Sequence, residues 1–229
     1  MKKIIFIISA FAVLLFSACE KDNYDAPNAT LHGSITYNGE AVCLKNSEVT
    51  FRIYEPGWEL SASTYMDVFI AQDGTYSASL FSGKTYKIIR TANIGPWQNP
   101  TASDTITVTV NGDTKQDIPV TPYFTIPSSS ISISGGAATA AFSINEVVSG
   151  STIDKVGLYI ASNMIVDAIN NKSAVELAGA NIDNKGNVTL SVNLSDALKK
   201  ESYVFARIGV KSTMSDHLIY TPAIRVDVN

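Results

Sequence analysis

The sequence predicts an all-β protein: two tandem Greek-key β-sandwiches that follow an N-terminal leader. Three observations predict it. Apolar and polar residues alternate with period two through most of the chain after residue 29. Tight-turn pairs such as Asn38-Gly39, Asp73-Gly74 and Asn111-Gly112 recur at short intervals. About seven short strands fall before a junction at Val120-Thr121-Pro122-Tyr123, the count of a Greek-key sandwich, and the pattern then begins again. With 229 residues, 45% of them hydrophobic, each half is long enough to bury a core, and disorder is excluded. A net charge of −4 without Lys/Arg clusters argues against nucleic acid, which demands a basic face. Two cysteines make no disulfide framework, and two isolated histidines leave little for metal or acid–base chemistry.

The leader comes first. Met1-Lys2-Lys3 is a basic start, Ile4 to Phe16 an apolar run, and Ser17-Ala18 are small residues. This is the pattern of a cleaved signal peptide over residues 1–18, its apolar stretch short for a permanent membrane span. Leu15-Phe16-Ser17-Ala18-Cys19 resembles the bacterial lipobox, with Phe16 where an aliphatic residue is usual. The resemblance implies acylation of Cys19, which would become the N-terminus and hold the chain on a membrane. An ordinary signal peptide with an unrelated cysteine is the alternative. The charged stretch Glu20-Lys21-Asp22-Asn23 resembles the surface-export signal of Bacteroidetes lipoproteins, or is simply a solvated tether. Residues 19–28 are then a lipidated tether and the first domain spans 29–120. Loss of residues 1–18 removes Lys2 and Lys3 and no acid, leaving 15 basic against 21 acidic side chains, a charge of −6. Cys43, after Ala41-Val42, is expected as a small buried hydrophobe, with no histidine placed to activate it.

In the first sandwich, Leu31 to Thr36 alternates up to the Asn38-Gly39 turn, which needs positive φ. Val49 to Tyr54 puts Val49, Phe51 and Ile53 on one face. Asp67 to Ile70 continues, Gln72-Asp73-Gly74 turns, and Thr75 to Leu80 returns. Gly83 breaks before Thr85 to Arg90; Thr105 to Val110 alternates, Asn111-Gly112 turns, and Asp117 to Val120 ends the set.

These residues carry a resemblance. Gly33-x-Ile35-x-x-Asn38-Gly39-Glu40-Ala41-Val42, Val49-x-Phe51 and Asp73-Gly74-x-Tyr76-x-x-x-Leu80-x-x-Gly83, with Tyr86, resemble the carboxypeptidase-regulatory-like, or transthyretin-like, sandwich. The whole chain resembles the DUF3823 family of Bacteroidetes lipoproteins, which pairs such a domain with a C-terminal immunoglobulin-like one. The stretch Gly95-Pro96-Trp97-x-Asn99-Pro100, then Asp104-Thr105-Ile106 and the strand to Pro122-Tyr123, fits that family. These are turn and strand signatures, which specify fold better than function.

The second domain, 121–229, has strands expected at Ser130 to Ser134, Ala138 to Asn145, Lys155 to Ala161, Asn187 to Leu194, Tyr203 to Val210 and Ala223 to Val228. Ser195-Asp196-Ala197-Leu198 suggests a short helical turn that leads into a tyrosine corner at Tyr203, as in immunoglobulin and fibronectin-III-like sandwiches. Met164 to Asn171 fits a short helix or a strand, since periodicity does not decide.

No spacing forces Glu40, Glu48, Glu55 and Glu59 into the facing pair a glycosidase requires, and no nucleophile-elbow motif occurs. The expectation is no enzyme, no metal and no cofactor. Asn181-Ile182-Asp183-Asn184-Lys185-Gly186 mimics the start of a calcium loop. However, Lys185 stands at a ligand position and Val192 where the closing glutamate belongs, so a hairpin turn is expected. Asp104-Thr105-Ile106 resembles a Bacteroidetes O-glycosylation tripeptide on Thr105, or begins a strand. Trp58, in Glu55-Pro56-Gly57-Trp58-Glu59, and Trp97, in Gly95-Pro96-Trp97-Gln98-Asn99-Pro100, are placed in loops by their neighbours. An exposed indole stacks on sugar rings, and Gln98, Asn99 and Asn93 could bond hydroxyls beside Trp97. Alternatively the indoles cap the sandwich ends or touch the neighbouring domain.

The resemblance implies a surface-exposed lipoprotein of the outer membrane, an accessory of a SusC/SusD-like nutrient importer, with a polysaccharide or oligosaccharide as ligand. A docked structural subunit of a glycan or peptide importer, with no soluble ligand of its own, is the alternative.

Overall fold

The computed structural model describes residues 26–57 and 64–228. Cys19 with its lipobox, the tether up to residue 25, and Trp58 lie outside them. Among the described residues the secondary structure is strands and three 3₁₀ turns, with no α-helix.

The first sandwich holds nine strands: β1 (Ala29–Tyr37), β2 (Glu40–Ala41), β3 (Thr50–Tyr54), β4 (Met66–Phe69), β5 (Thr75–Leu80), β6 (Lys84–Arg90), β7 (Ile106–Val110), β8 (Asp113–Lys115) and β9 (Ile118–Pro119). One sheet centres on β1, which pairs antiparallel with β2 and β5 and parallel with β8 and β9. The other runs β4-β3-β6-β7, all antiparallel. Alternation sets the inner faces. Leu31 and Ile35 of β1 and Tyr76, Ala78 and Leu80 of β5 meet Phe51 and Ile53 of β3, Ile88 of β6 and Val110 of β7 in the core. Phe51 and Tyr76 pack edge to face with ring centroids 4.7 Å apart, a favoured aromatic arrangement. Asn38 and Gly39 both take positive φ, 51° and 86°, as the expected hairpin turn demands.

The second sandwich begins at β10 (Phe124–Ser134), longer than its alternation suggests, and pairs β10-β11-β14, with β11 spanning Ala137–Glu146 and β14 spanning Val188–Asn193. The facing sheet orders β13 (Ser173–Ala178), β12 (Ile153–Ala161), β15 (Tyr203–Ser212) and β16 (Leu218–Tyr220), with β17 (Ile224–Asp227) also on β15. Residues 162–172, where the sequence left helix and strand open, form an irregular loop. Asp167, 1% exposed, holds it: its carboxylate accepts the Ile169 and Asn170 backbone N–H groups and Asn170 Nδ2, each at 2.8 Å. The helical turn before Tyr203 is a 3₁₀ turn at Leu198–Lys200. Tyr203 makes no inward corner. Its ring is 37% exposed, with Arg225 Cζ 4.0 Å above it and Phe205 edge-on at 5.8 Å. The cation holds it at the surface.

From Val156 to Ala161 every residue of β12 is buried, and so is every residue of β15 from Ala206 to Val210. Such continuous burial requires cover on both faces. One face meets β10-β11-β14; the other packs on the first sandwich, where Cys43 joins Tyr159, Ala161, Val166, Leu218 and Tyr220 in one apolar cluster. Arg207, 0% exposed, stands at its centre. Its Nε donates to Thr221 O at 2.7 Å and its Nη1 to Leu44 O at 2.8 Å, with Val166 O at 3.5 Å; Nη2 donates to Gln72 O at 2.8 Å. Tyr220 lies face-on at 4.5 Å. One guanidinium therefore bonds carbonyls of both domains. Burial pulls the Arg207 pKa below its ordinary value and pushes the Cys43 thiol up. Tyr220 N to Cys43 O at 3.0 Å, Gln72 Nε2 to Met164 O at 3.0 Å and Ser215 Oγ to Gly95 O at 2.9 Å complete the seam.

Arg207→Met should cost on the order of 3 kcal/mol, because it leaves buried carbonyls in both domains unpaired. Urea unfolding checks this, and a loss below about 1 kcal/mol would show that the domains hold without it. At the edge of the seam His217 Nδ1 lies 3.3 Å from Glu48 Oε2, a close contact without hydrogen-bond geometry, and has no hydrogen-bond partner. That contact with His217, then Lys45 at 3.0 Å, holds the Glu48 carboxyl below its ordinary value of 4.5. A depressed carboxyl contributes stability that is complete above 4.5 and is lost as pH falls through the lowered value. Glu48→Gln should therefore flatten the acid limb of the stability-against-pH curve below pH 4.5; an unchanged limb would contradict the pairing.

Candidate functional site

Trp97 is not an exposed platform. It is 3% exposed and packs in the main core, so its indole offers no face to a ligand. Its backbone bridges to Pro122, while Gln98 N donates to Thr121 O at 3.0 Å and Tyr123 N to Pro96 O at 3.1 Å. The loop thus forms a short ladder with the inter-domain junction, which turns the indole inward. Gly95 is required there: its φ is 116°, and a Cβ would sit 2.3 Å from the Trp97 ring. Gln98, Asn99 and Asn93 are exposed, but Asn99 Oδ1 accepts Asn93 N at 2.6 Å and Asn99 Nδ2 donates to Asn93 Oδ1 at 3.0 Å. Two of the three candidate hydroxyl partners are thus spent on shaping the loop.

The other motifs are equally local. Asn184 Oδ1 accepts Gly186 N at 2.8 Å in a local turn, but the expected hairpin is not formed: Asn181 to Gly186 carries the chain from β13 to β14, which lie in different sheets. Asp104 accepts Thr101 N at 2.6 Å and caps a 3₁₀ turn before Thr105. Among the described residues no three His, Cys, Asp or Glu side chains come together to hold a metal.

An open groove of about 580 Å³ lies elsewhere, at the mouth of the first sandwich. Its floor is Ile53 and Leu80, the last inward residues of β3 and β5, and Tyr86, the first inward residue of β6, each at most 6% exposed. Its rims are Tyr65 and Met66 on one sheet and Phe81 on the other. Met66 and Phe81 are both 37% exposed. Glu55, Thr64 and Ser79 add polar groups, and Pro27 closes one side. The walls are held in place. Arg52 Cζ sits 3.9 Å over the Tyr65 ring, Tyr54 packs against that ring at a tilt with centroids 5.7 Å apart, and Arg52 Nε donates to Asp67 Oδ1 at 3.3 Å. Opposite, the Tyr86 hydroxyl accepts Phe81 N at 3.1 Å and fixes the Phe81 backbone. Apolar walls with a few polar groups form a ready ligand site of ordinary size.

Two family models match: "Protein of unknown function (DUF3823) N-terminal domain" over residues 29–121 and "Domain of unknown function (DUF3823_C)" over 124–225. The chain belongs to the DUF3823 family. A crystal structure of a DUF3823 protein from Bacteroides ovatus is 37% identical and covers 88% of this chain and 100% of its own, with a TM-score of 0.80. Another, from Parabacteroides merdae, is 33% identical over 89% of this chain and 100% of its own, also at 0.80. A protein from Bacteroides uniformis described as a "putative carbohydrate binding protein" shares the fold at 22% identity and a TM-score of 0.69, covering 88% of this chain and 99% of its own. No curated protein matches.

Sequence reasoning on this DUF3823 chain favoured tryptophans and missed Tyr65 and Phe81. A signal existed at Phe81: it follows Tyr76, Ala78 and Leu80, which point inward, and so falls out of phase at the strand end. In a Trp58→Phe background, Trp97 emission should be shielded from iodide, and Trp97→Ala should cost about 3–5 kcal/mol. Ready quenching would contradict its burial.

Proposed function

We propose that this DUF3823 protein is a non-catalytic, surface-exposed outer-membrane lipoprotein, anchored through Cys19, that binds glycan for a SusC/SusD-like importer. The observation that carries the glycan reading is the aromatic groove of the first sandwich. Phe81 on one side and Tyr65 on the other line the groove over an apolar floor, and the C–H face of a pyranose packs on aromatic rings of this kind. Glu55, Thr64 and Ser79 are beside them to bond hydroxyls. The description of the Bacteroides uniformis protein as carbohydrate-binding supports the same class of ligand. The lipobox around Cys19 supports the anchor.

A second observation favours the docked-subunit reading. Met164, Ile165 and Ile169 are 57%, 49% and 73% exposed on the loop that Asp167 pins, with Val166 buried beneath them. Exposed apolar side chains on a fixed loop suit contact with another protein.

Glycan-array binding of the purified protein, followed by titration of hits with Tyr65→Ala and Phe81→Ala, tests the main reading. Each substitution should weaken binding about tenfold, the scale of one lost stacking contact. Absence of glycan binding, together with co-purification with an importer that Ile169→Lys abolishes, would replace it with the docked-subunit reading.

A further inference from the structure

The groove's polar side carries a pair of opposite charges that aromatic stacking does not use. Glu55, which lines the groove, has Oε1 3.0 Å from Lys84 Nζ. The two side chains are 23% and 51% exposed, so Glu55 reaches solvent in the groove and Lys84 reaches it just beyond the lining, placed there by this contact. A carboxylate has two acceptor oxygens and an ammonium three hydrogens, and the contact between them occupies one of each. Adjacent hydroxyls on a pyranose ring are about as far apart as these two charged atoms. Arg52, which sits on the Tyr65 ring of the groove wall, is likewise matched by an acid, Asp67, at 3.3 Å. A polyanion gains little from cations already neutralised, and the chain as a whole is negative. An uncharged, hydroxyl-rich ligand keeps both pairs intact and adds to them.

We propose that Glu55 and Lys84 form a hydroxyl clamp and that the groove takes a neutral glycan rather than a uronate. The carboxylate accepts a hydrogen bond from one hydroxyl and the ammonium donates to its neighbour. Tyr65 and Phe81 cover the C–H face of the same or the next ring. The inference rests on the groove as the glycan site. It makes Glu55 and Lys84 binding residues rather than a surface ion pair, which on its own would contribute little.

The test uses the full chain, purified in a sugar-free detergent, and calorimetric titration with cellohexaose, xylohexaose, mannohexaose and hexagalacturonate at low and high salt. At least one neutral hexaose should bind with a Kd that salt changes less than twofold, and hexagalacturonate should not. Glu55→Gln and Lys84→Met should each weaken the neutral ligand about tenfold, with the thermal midpoint held because both residues are at the surface. Hexagalacturonate as the tightest ligand, losing affinity with salt, would overturn the neutral assignment, as would no binding by any of the four. An unchanged Kd in Glu55→Gln and Lys84→Met, while Tyr65→Ala still weakens binding, would overturn the clamp and leave the groove standing. Glycan binding that survives Tyr65→Ala would remove the groove itself.

Discussion

The structure depends on one buried guanidinium. Arg207 has no exposed surface, and its donors go to main-chain carbonyls: Leu44 and Gln72 of the first sandwich, Thr221 and, more distantly, Val166 of the second. A buried cation is tolerated only when its hydrogens are matched, and here matching them requires both domains at once. The arrangement therefore works as a geometric condition. If the sandwiches part, a charge and several carbonyls lose their partners together, and no rearrangement within one domain repairs the loss. Tyr220, stacked on the guanidinium, and Cys43, beside it in the apolar cluster, exclude water from the same point.

That condition places the groove. Gln72 precedes β5, and Leu80 ends it at the groove floor. At about 3.3 Å per residue, the groove lies roughly 20 Å along the strand from the Arg207 node. The seam occupies one end of the first sandwich and leaves the other open, the end at which Pro27 brings the chain in. There the sheets diverge enough for Tyr65 and Phe81 to stand on opposite rims, each held by its own neighbours. A ligand in this groove needs no movement of one domain against the other, in keeping with a site whose walls are set before binding.

Much of the fold was legible because it follows from alternation and turn chemistry, which are local. Phe51 and Ile53, then Tyr76, Ala78 and Leu80, and Leu190 point inward as their spacing requires. β13 was not legible: Val175 and Leu177 of Ser173 to Ala178 pack on the core, but polar Ser173 leads that face and Ala174 and Ala178 stand on the other, which blurs the alternation. Arg207 was invisible for a different reason. A charged residue at alternate spacing in a strand is ordinarily solvent-facing, and the carbonyls that bury this one come from as far as 163 residues away. Trp97 follows the second of its two expected readings, buried at the domain junction instead of exposed to a ligand. Glycine and proline correctly marked a loop, but the pairing of that loop with residues 121–123 lies beyond local sequence. The groove is the least legible feature, since Tyr65 and Phe81 gain meaning only from the gap between the sheets.

The proposed glycan site lies at the mouth of the first sandwich, away from the inter-domain seam. Methyl-selective NMR of the protein titrated with a bound oligosaccharide tests it most directly, because the groove and the rest of the molecule carry separate methyl reporters. The Met66 and Ile53 methyl signals should shift with saturation, while those of Met164, Ile165, Ile169 and Met214 stay in place. Shifts confined to the latter set, with Met66 and Ile53 silent, would contradict it.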